Sequence, residues 1–300
     1  MEASARSACP RTRLRRPGRD RRRVRRRREP DPAHLTLRLV RGSGRLSLGE
    51  LAERLGVSEM TVRRDLDQLQ EQGLVRRVRG GAVALDVPAD QAGFTVRERW
   101  QAATKAQLGR AAAALIEPGT TVLLDAGTTT AELAGHLTAR APLTVAVLSL
   151  QAAVRLADQP GIKLLIIGGE SRASERSLVG PLALNALDQL RFDTFVMSIG
   201  AAHHELGWSE FDLDDAAVKR AALRRAGRTI VVADSTKLGV QAFARVAPLD
   251  AVDTLVTNAV LPSDLSGPQD GAAADTLAAL RDAGVEIVTP HTVSGSGDSR

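Results

Sequence analysis

Three short stretches combine residue types and spacings suited to chemistry. In Ser58-Glu59-Met60-Thr61-Val62-Arg63-Arg64-Asp65, two adjacent guanidiniums follow within two turns of a serine suited to cap a helix. Arginine presents a planar fork of donors that fits guanine edges and phosphates, and the Ser58 and Thr61 hydroxyls can meet phosphate or base edges. In Asp125-Ala126-Gly127-Thr128-Thr129-Thr130, a glycine allows a sharp turn and three threonines open a helix. Unpaired backbone N–H groups at such a start favour an anion. In Asp234-Ser235-Thr236-Lys237, a lysine that can neutralise a phosphate stands three residues after a carboxylate that can accept bonds from sugar hydroxyls. Each stretch also has a plainer reading: a solvated helix face, a glycine turn with a threonine cap, a polar loop with its lysine in water. Neither loop is a Walker loop or G-x-G-x-x-G, so nucleotide binding is not indicated. Without a nucleophile-elbow motif, a hydrolase triad is unsupported.

The first stretch belongs to a pair of helices. Ser47 followed by Glu50 has the spacing of a capping box, and Leu48, Leu51, Ala52 and Leu55 make one apolar stripe. Gly56 ends that helix, Ser58 caps the next, and Val62, Leu66 and Leu69 form its buried face, leaving Glu59, Thr61, Arg63, Arg64 and Asp65 outward. Leu35, Leu39 and Val40 suggest an earlier helix ending near Gly42 or Gly44. Beyond Gly73, Leu74–Val83 reads as two short strands around a turn, with Arg76, Arg77 and Arg79 close together. Two helices joined by a tight turn and followed by a basic hairpin are the pattern of a winged helix-turn-helix, whose hairpin grips the phosphate backbone.

The other two stretches need a different frame. After a linker at residues 85–93, apolar strands alternate with helices from 94 to about 290. A helix is expected over Arg97–Ile116. Strands are expected at Thr121–Leu124, Leu143–Ser149, Ile162–Ile167, Thr194–Ile199, Thr229–Ala233, Thr254–Thr257 and Glu286–Val288. That alternation predicts an α/β domain with a mainly parallel sheet, which binds ligands beyond the carboxyl ends of its strands. Both polar loops follow such ends, which makes a phosphorylated polyol a reasonable ligand.

Composition narrows the classes. The net charge of +6 hides an asymmetry: residues 1–30 carry 13 Arg against three acids, and the other 270 carry 28 basic and 32 acidic side chains. Residues 1–33 therefore read as a disordered Arg-rich leader, either a nonspecific phosphate-binding arm or a solvated tail, and 291–300 as a disordered tail. No apolar run is long enough to span a membrane. Cys9 is the sole cysteine, which excludes an intramolecular disulfide. A cytoplasmic location fits. His203-His204-Glu205 invites a metal reading, but adjacent histidines are expected to diverge, and neither a metal nor another cofactor is expected.

The run Leu51–Leu66, followed by Arg79-Gly80-Gly81-Ala82, resembles the DNA-binding domain of the DeoR family of bacterial repressors. Asp125–Thr130, Gly168-Gly169, Asp215-Ala216 with Lys219, and Asp234–Gly239 resemble its sensor domain. The resemblance runs from about Leu35 to Val288. It implies a ribose-5-phosphate isomerase-like fold that senses sugar phosphates, acting as a repressor of carbohydrate metabolism rather than as an enzyme. The expected DNA contacts are Ser58, Glu59, Met60, Thr61, Arg63, Arg64, Arg76, Arg77 and Arg79. The expected effector contacts are Asp125, Gly127, Thr128, Thr129, Thr130, Gly168, Gly169, Lys219, Asp234 and Lys237, with Lys219 the weaker because a helix lysine is usually in water. Partners would be a double-stranded operator, a phosphorylated sugar and further copies of the chain. Three departures bear on the ligand: Val147-Leu148-Ser149 replaces the usual Thr-Asn-Ser, Ala201-Ala202-His203-His204 replaces a segment beginning Asp-Gly, and Asp215-Ala216 replaces Glu-Ala. The alternative is a sugar-phosphate isomerase with an accessory DNA-binding domain. It needs a positioned carboxylate base, which Ala201-Ala202 does not supply.

Overall fold

The computed structural model describes residues 32–43, 45–71, 75–84, 94–172, 175–259 and 271–290. The leader up to residue 31, the linker, the tail, Gly44 and Gly73 lie outside them.

The N-terminal unit is built as its stripes require. Helices α1 (Pro32–Ser43), α2 (Leu48–Leu55) and α3 (Glu59–Glu71) pack around Leu37, Val40, Leu51, Val62, Leu66 and Leu69. Strand β1 (Arg45–Ser47) joins the hairpin β2 (Val75–Val78) and β3 (Gly81–Ala84) in a small antiparallel sheet ordered β1-β3-β2. The capping box forms: the Ser47 Oγ accepts from the Glu50 N–H at 3.2 Å, and the Glu50 carboxylate accepts from the Ser47 N–H at 2.8 Å. Gly56 closes α2 at φ +65°, a left-handed conformation that glycine adopts without steric cost.

The larger unit starts with α4 (Phe94–Arg99) and α5 (Ala102–Ala114). These correct the single helix expected from Arg97: Gln101 takes φ +51° and breaks it. There follow β4 (Thr121–Leu124), α6 (Thr128–Ala134), β5 (Leu143–Val147), α7 (Leu150–Leu156), β6 (Ile162–Ile166), the hairpin β7 (Glu170–Ser171) and β8 (Leu178–Val179), and α8 (Pro181–Asp188). Then come β9 (Phe192–Met197), β10 (Ala201–His203), β11 (Gly207–Glu210), α9 (Leu213–Leu223), β12 (Ala226–Val232), β13 (Ala244–Ala247), β14 (Thr254–Val256), α10 (Gly271–Asp282) and β15 (Glu286–Val288).

Seven of these strands form one sheet in the order β15-β14-β12-β9-β4-β5-β6, with every pairing parallel. It is buried on both faces, as parallel sheets are. Along β4, Leu123 enters the core under α8 and α9, whereas Val122 and Leu124 enter the core under α5, α6 and α7. From β4 the chain winds outward through β5 and β6; from β9 it winds the other way through β12, β14 and β15. The β4–β9 junction is thus the point where the winding reverses, the place where an open α/β sheet leaves a crevice for a ligand. Strands β10, β11 and β13 make a separate antiparallel sheet that periodicity did not foretell.

Candidate functional site

The helix α3 presents Glu59, Met60, Arg63 and Arg64 to solvent, with Met60 66% exposed. Ser58 caps its start: its Oγ accepts from the Thr61 N–H at 3.2 Å and lies 3.0 Å from the Thr61 hydroxyl. Glu59 and Arg63 approach to 3.7 Å at half-exposed positions, too loose to compete with a base. Asp65 departs from expectation: it turns inward and accepts from the Thr36 hydroxyl of α1 at 3.3 Å. On the hairpin, Arg76 and Arg79 are exposed. Arg77 is ion-paired with Asp67 of α3, and its N–H donates to the Gln70 side chain at 2.8 Å, so it fastens the hairpin to the helix.

The second site lies at the β4–β9 junction. The Asp125 N–H donates to the Val196 carbonyl at 3.0 Å, carrying the pairing one residue past β4. Gly127 then turns at φ +147°, a conformation that favours glycine; a Cβ there would stand 2.7 Å from the Ser198 hydroxyl, so a larger residue would have to displace the Ser198 side chain. Thr128 and Thr129 open α6 and line a cleft together with Arg97, Lys105, Asp234 and Lys237. That lobe holds three cationic side chains against one carboxylate. A second lobe shares Arg97, Gly127, Ser198, Ile199 and Lys237 with it and continues to Arg172, Glu175, Glu210, Asp212, Asp215 and Lys219. There the charges are matched in pairs: Arg97 with Glu175, and Arg172 with Asp215 and, at 3.2 Å, with Asp212.

Beneath the cleft, Lys219 forms an ion pair with Asp125 and stands 3.4 Å from Glu210. Only 4% of the Lys219 and Asp125 side chains is exposed. Burial pulls the ammonium toward neutrality, but Asp125, Glu210 and Asp215 together raise its pKa, so it stays charged. Burial pushes both carboxyls, Asp125 and Glu210, above the usual range, with Lys219 opposing. Lys219 is therefore not a solvated helix lysine, which corrects the expectation. Nor is Asp125 at leisure to accept sugar hydroxyls. One of its oxygens takes the Ala126 N–H at 2.8 Å; the other takes the Ser198 N–H at 3.0 Å besides the lysine.

Other expected contacts sort similarly. The Thr130 hydroxyl faces inward and donates to the Gly127 carbonyl at 3.1 Å. Gly168 and Gly169 line neither lobe; Gly169, at φ +137°, lets the backbone pass close to Val179. Asp234 lines the cationic lobe, with one oxygen accepting from the Thr236 N–H at 2.9 Å. Lys237 and Lys105 both have their pKa pulled down to about 8 by burial, so each is a cation ready to gain from an anion. The His203 and His204 rings do not diverge: they stack with centroids 4.1 Å apart, and Glu205 brings a third potential ligand atom within 4.8 Å of theirs.

Comparison with known proteins identifies the two units that carry these residues. Residues 35–87 match the DeoR-like helix-turn-helix domain, and residues 100–259 match the DeoR C terminal sensor domain. The chain belongs to the DeoR family of transcriptional regulators. It is 31% identical to the HTH-type transcriptional repressor CsqR of Escherichia coli, over 85% of this chain and 93% of that protein. It is 34% identical to the transcriptional repressor AccR of Agrobacterium fabrum, over 73% and 86%, and 30% identical to the glycerol-3-phosphate regulon repressor of Escherichia coli, over 75% and 89%. A solved ribose 5-phosphate isomerase from Methanocaldococcus jannaschii is similar at a TM-score of 0.34, with 17% identity over 45% of this chain and 54% of that one.

Within this DeoR-family chain, α3 is the exposed second helix of the helix-turn-helix, and the cleft belongs to the sensor domain. Sequence reasoning missed Arg97, Lys105, Arg172, Ser198 and Glu210 in the cleft. The strand-end rule applied to β9 could have found Ser198, the first residue after that strand. No local pattern marks Arg97 or Lys105.

Proposed function

We propose that this regulator is a cytoplasmic repressor of a carbohydrate-metabolism operon, released from its operator by a phosphorylated sugar. The reading rests on one observation: the crevice at the β4–β9 junction is cationic in one lobe and charge-matched in the other. A phosphate fits against Lys105, Lys237 and the start of α6. The paired carboxylates and guanidiniums beyond offer acceptors and donors for hydroxyls. Operator half-sites call for more than one reading head, so the working unit is a homo-oligomer. Arg63, Arg64, Met60 and Glu59 read bases; Ser58, Thr61, Arg76 and Arg79 hold phosphates.

The isomerase alternative has one structural point in its favour. The missing acid of Ala201-Ala202 does not leave the cleft without carboxylates, since Glu210 and Asp215 line it. Both are held in ion pairs, and the relatives above are named as repressors. Calorimetry with ribose 5-phosphate, glycerol 3-phosphate, inorganic phosphate and the unphosphorylated parents decides. Phosphorylated compounds should bind better than their parents, and Lys237→Ala should weaken them tenfold or more while operator binding stays near normal, since a bond to a charged group contributes about 1.5–3 kcal/mol. Equal binding of parent and phosphate ends the proposal; turnover of a sugar phosphate hands it to the isomerase reading.

A further inference from the structure

The cleft and the DNA-reading unit share a side chain. Trp100, in the turn between α4 and α5, packs against the core formed by α1, α2 and α3, and it also lines the cationic lobe beside Lys105 and Lys237. Among the described residues it is the one member of that core that reaches the cleft. The segment carrying it is fixed on the sensor side at three points. Phe94 is buried, with the Arg176 guanidinium 5.2 Å from its ring centroid. Arg97 is ion-paired with Glu175. The carbonyl of Arg97 accepts from the ammonium of Lys105, itself 4% exposed. Directly after Trp100, Gln101 holds φ +51°, a left-handed conformation that a residue with a Cβ adopts only when its surroundings impose it.

From this geometry we infer that Trp100 is the coupling residue of the regulator: an anion seated against Lys105 and Lys237 moves the indole, and the indole moves the packing of the helix-turn-helix. The inference rests on the effector reading of the cleft. The ligand end of the path is short, because Lys105 both faces the anion and holds the Arg97 carbonyl three residues before Trp100. The DNA end is a packed contact rather than a solvent-filled gap. A ligand biases such an equilibrium only by binding its two states unequally, and the coupling is reciprocal: the operator must change ligand affinity by the same factor.

The full chain tests this with a duplex recovered by selection from random sequence, and with ribose 5-phosphate and inorganic phosphate as probes. Wild type should show at least a fivefold change in duplex Kd on saturation with one of the probes, and the reciprocal change in probe Kd on adding duplex. Trp100→Ala should reduce both factors to under twofold, each factor being the ratio of Kd values for that same variant with and without the second partner, so that a changed affinity for either partner alone cancels. Trp100→Phe, which keeps an aromatic ring in the contact, should retain part of the factor, and thermal melts establish that each variant is folded. If Trp100→Ala does not fold, Trp100→Phe carries the test: a factor equal to wild type then counts against the inference and a reduced one for it. A wild-type coupling factor in Trp100→Ala overturns the inference and leaves the effector reading intact. If every probe that binds wild type leaves duplex affinity unchanged, the inference falls together with the claim that a phosphorylated ligand releases the operator. If neither probe binds wild type, the effector reading itself fails and the inference goes with it.

Discussion

Replacing Lys219 by methionine removes the cation shared by Asp125 and Glu210 and leaves a side chain of similar length. Two carboxyls then remain in a site where 4% of Asp125 and 12% of Glu210 is exposed. Deleting one partner of a buried pair costs about 3–5 kcal/mol, because the other charge stays buried and uncompensated. In a domain of this size each kcal/mol lowers Tm by roughly 2–4 °C, so a fall of about 6–20 °C is expected near neutral pH. The pH dependence gives the diagnostic sign. Burial already raises both carboxyl pKa values, and losing Lys219 raises them further. A carboxyl whose folded pKa exceeds its unfolded one contributes stability below the unfolded pKa and loses it as pH rises through the folded value. The deficit of Lys219→Met relative to wild type should therefore be small at about pH 5 and large at about pH 8. Adding Asp125→Asn should recover part of it, since one of the two uncompensated charges is then gone. Thermal melts of the three proteins across that range are sufficient. A Lys219→Met variant that melts with wild type at pH 8, or whose deficit is the same at both ends, would refute the assignment of Lys219 as the buried counter-charge.

Three further outcomes follow from the two sites. Arg63→Ala or Arg64→Ala should weaken operator binding by about 1–3 kcal/mol for a lost bidentate base contact and narrow the gap to random DNA, as read by gel-shift titration at fixed salt. Arg79→Ala should lower affinity across all sequences and reduce the salt slope by about 1; Arg77→Ala should leave the slope nearly unchanged and instead lower Tm, because that guanidinium is committed to Asp67. Binding of inorganic phosphate to the sensor should weaken as pH rises above about 8, where Lys105 and Lys237 lose their protons, and Lys237→Ala should flatten that profile; a constant affinity up to pH 10 would show that neither ammonium meets the anion.

Much of this architecture was legible because its signals are local. The Ser47–Glu50 capping box and the stripe of Leu48, Leu51, Ala52 and Leu55 fix the start and inner face of α2 within nine residues. The apolar strands between helices announce a parallel sheet, and the strand-end rule leads directly to Gly127 and Lys237. What escaped depends on contacts far apart in the chain. Lys219 meets Asp125 across 94 positions, and the small residues around it, Ala216, Val218, Ala221 and Ala222, are buried on so broad an arc of α9 that periodicity cannot say where the lysine points. Arg97 and Lys105 looked like polar positions on one long helix because the elbow at Gln101 uses a left-handed residue that is not glycine. The three strands of the small second sheet are three or four residues long, too short for alternation to register.

The hairpin of the DNA-reading unit has a consequence for how its operators can change. The Leu48 N–H at the start of α2 donates to the Gly80 carbonyl at 2.9 Å, β1 pairs with β3, and Arg77 ties β2 to α3. A side chain at Gly81 would collide with the Leu46 backbone. The hairpin is thus a fixed jaw, with its distance to α3 set by covalent and hydrogen-bonded geometry. A half-site can then drift by base substitution, each change costing about 1–3 kcal/mol and recoverable by a later one. An inserted or deleted base pair is different in kind: it shifts the gripped phosphates by about 3.4 Å and rotates them by roughly a tenth of a turn. A rigid jaw cannot follow that movement. Within one half-site, operators of this regulator should differ from one another in letters and share a single length.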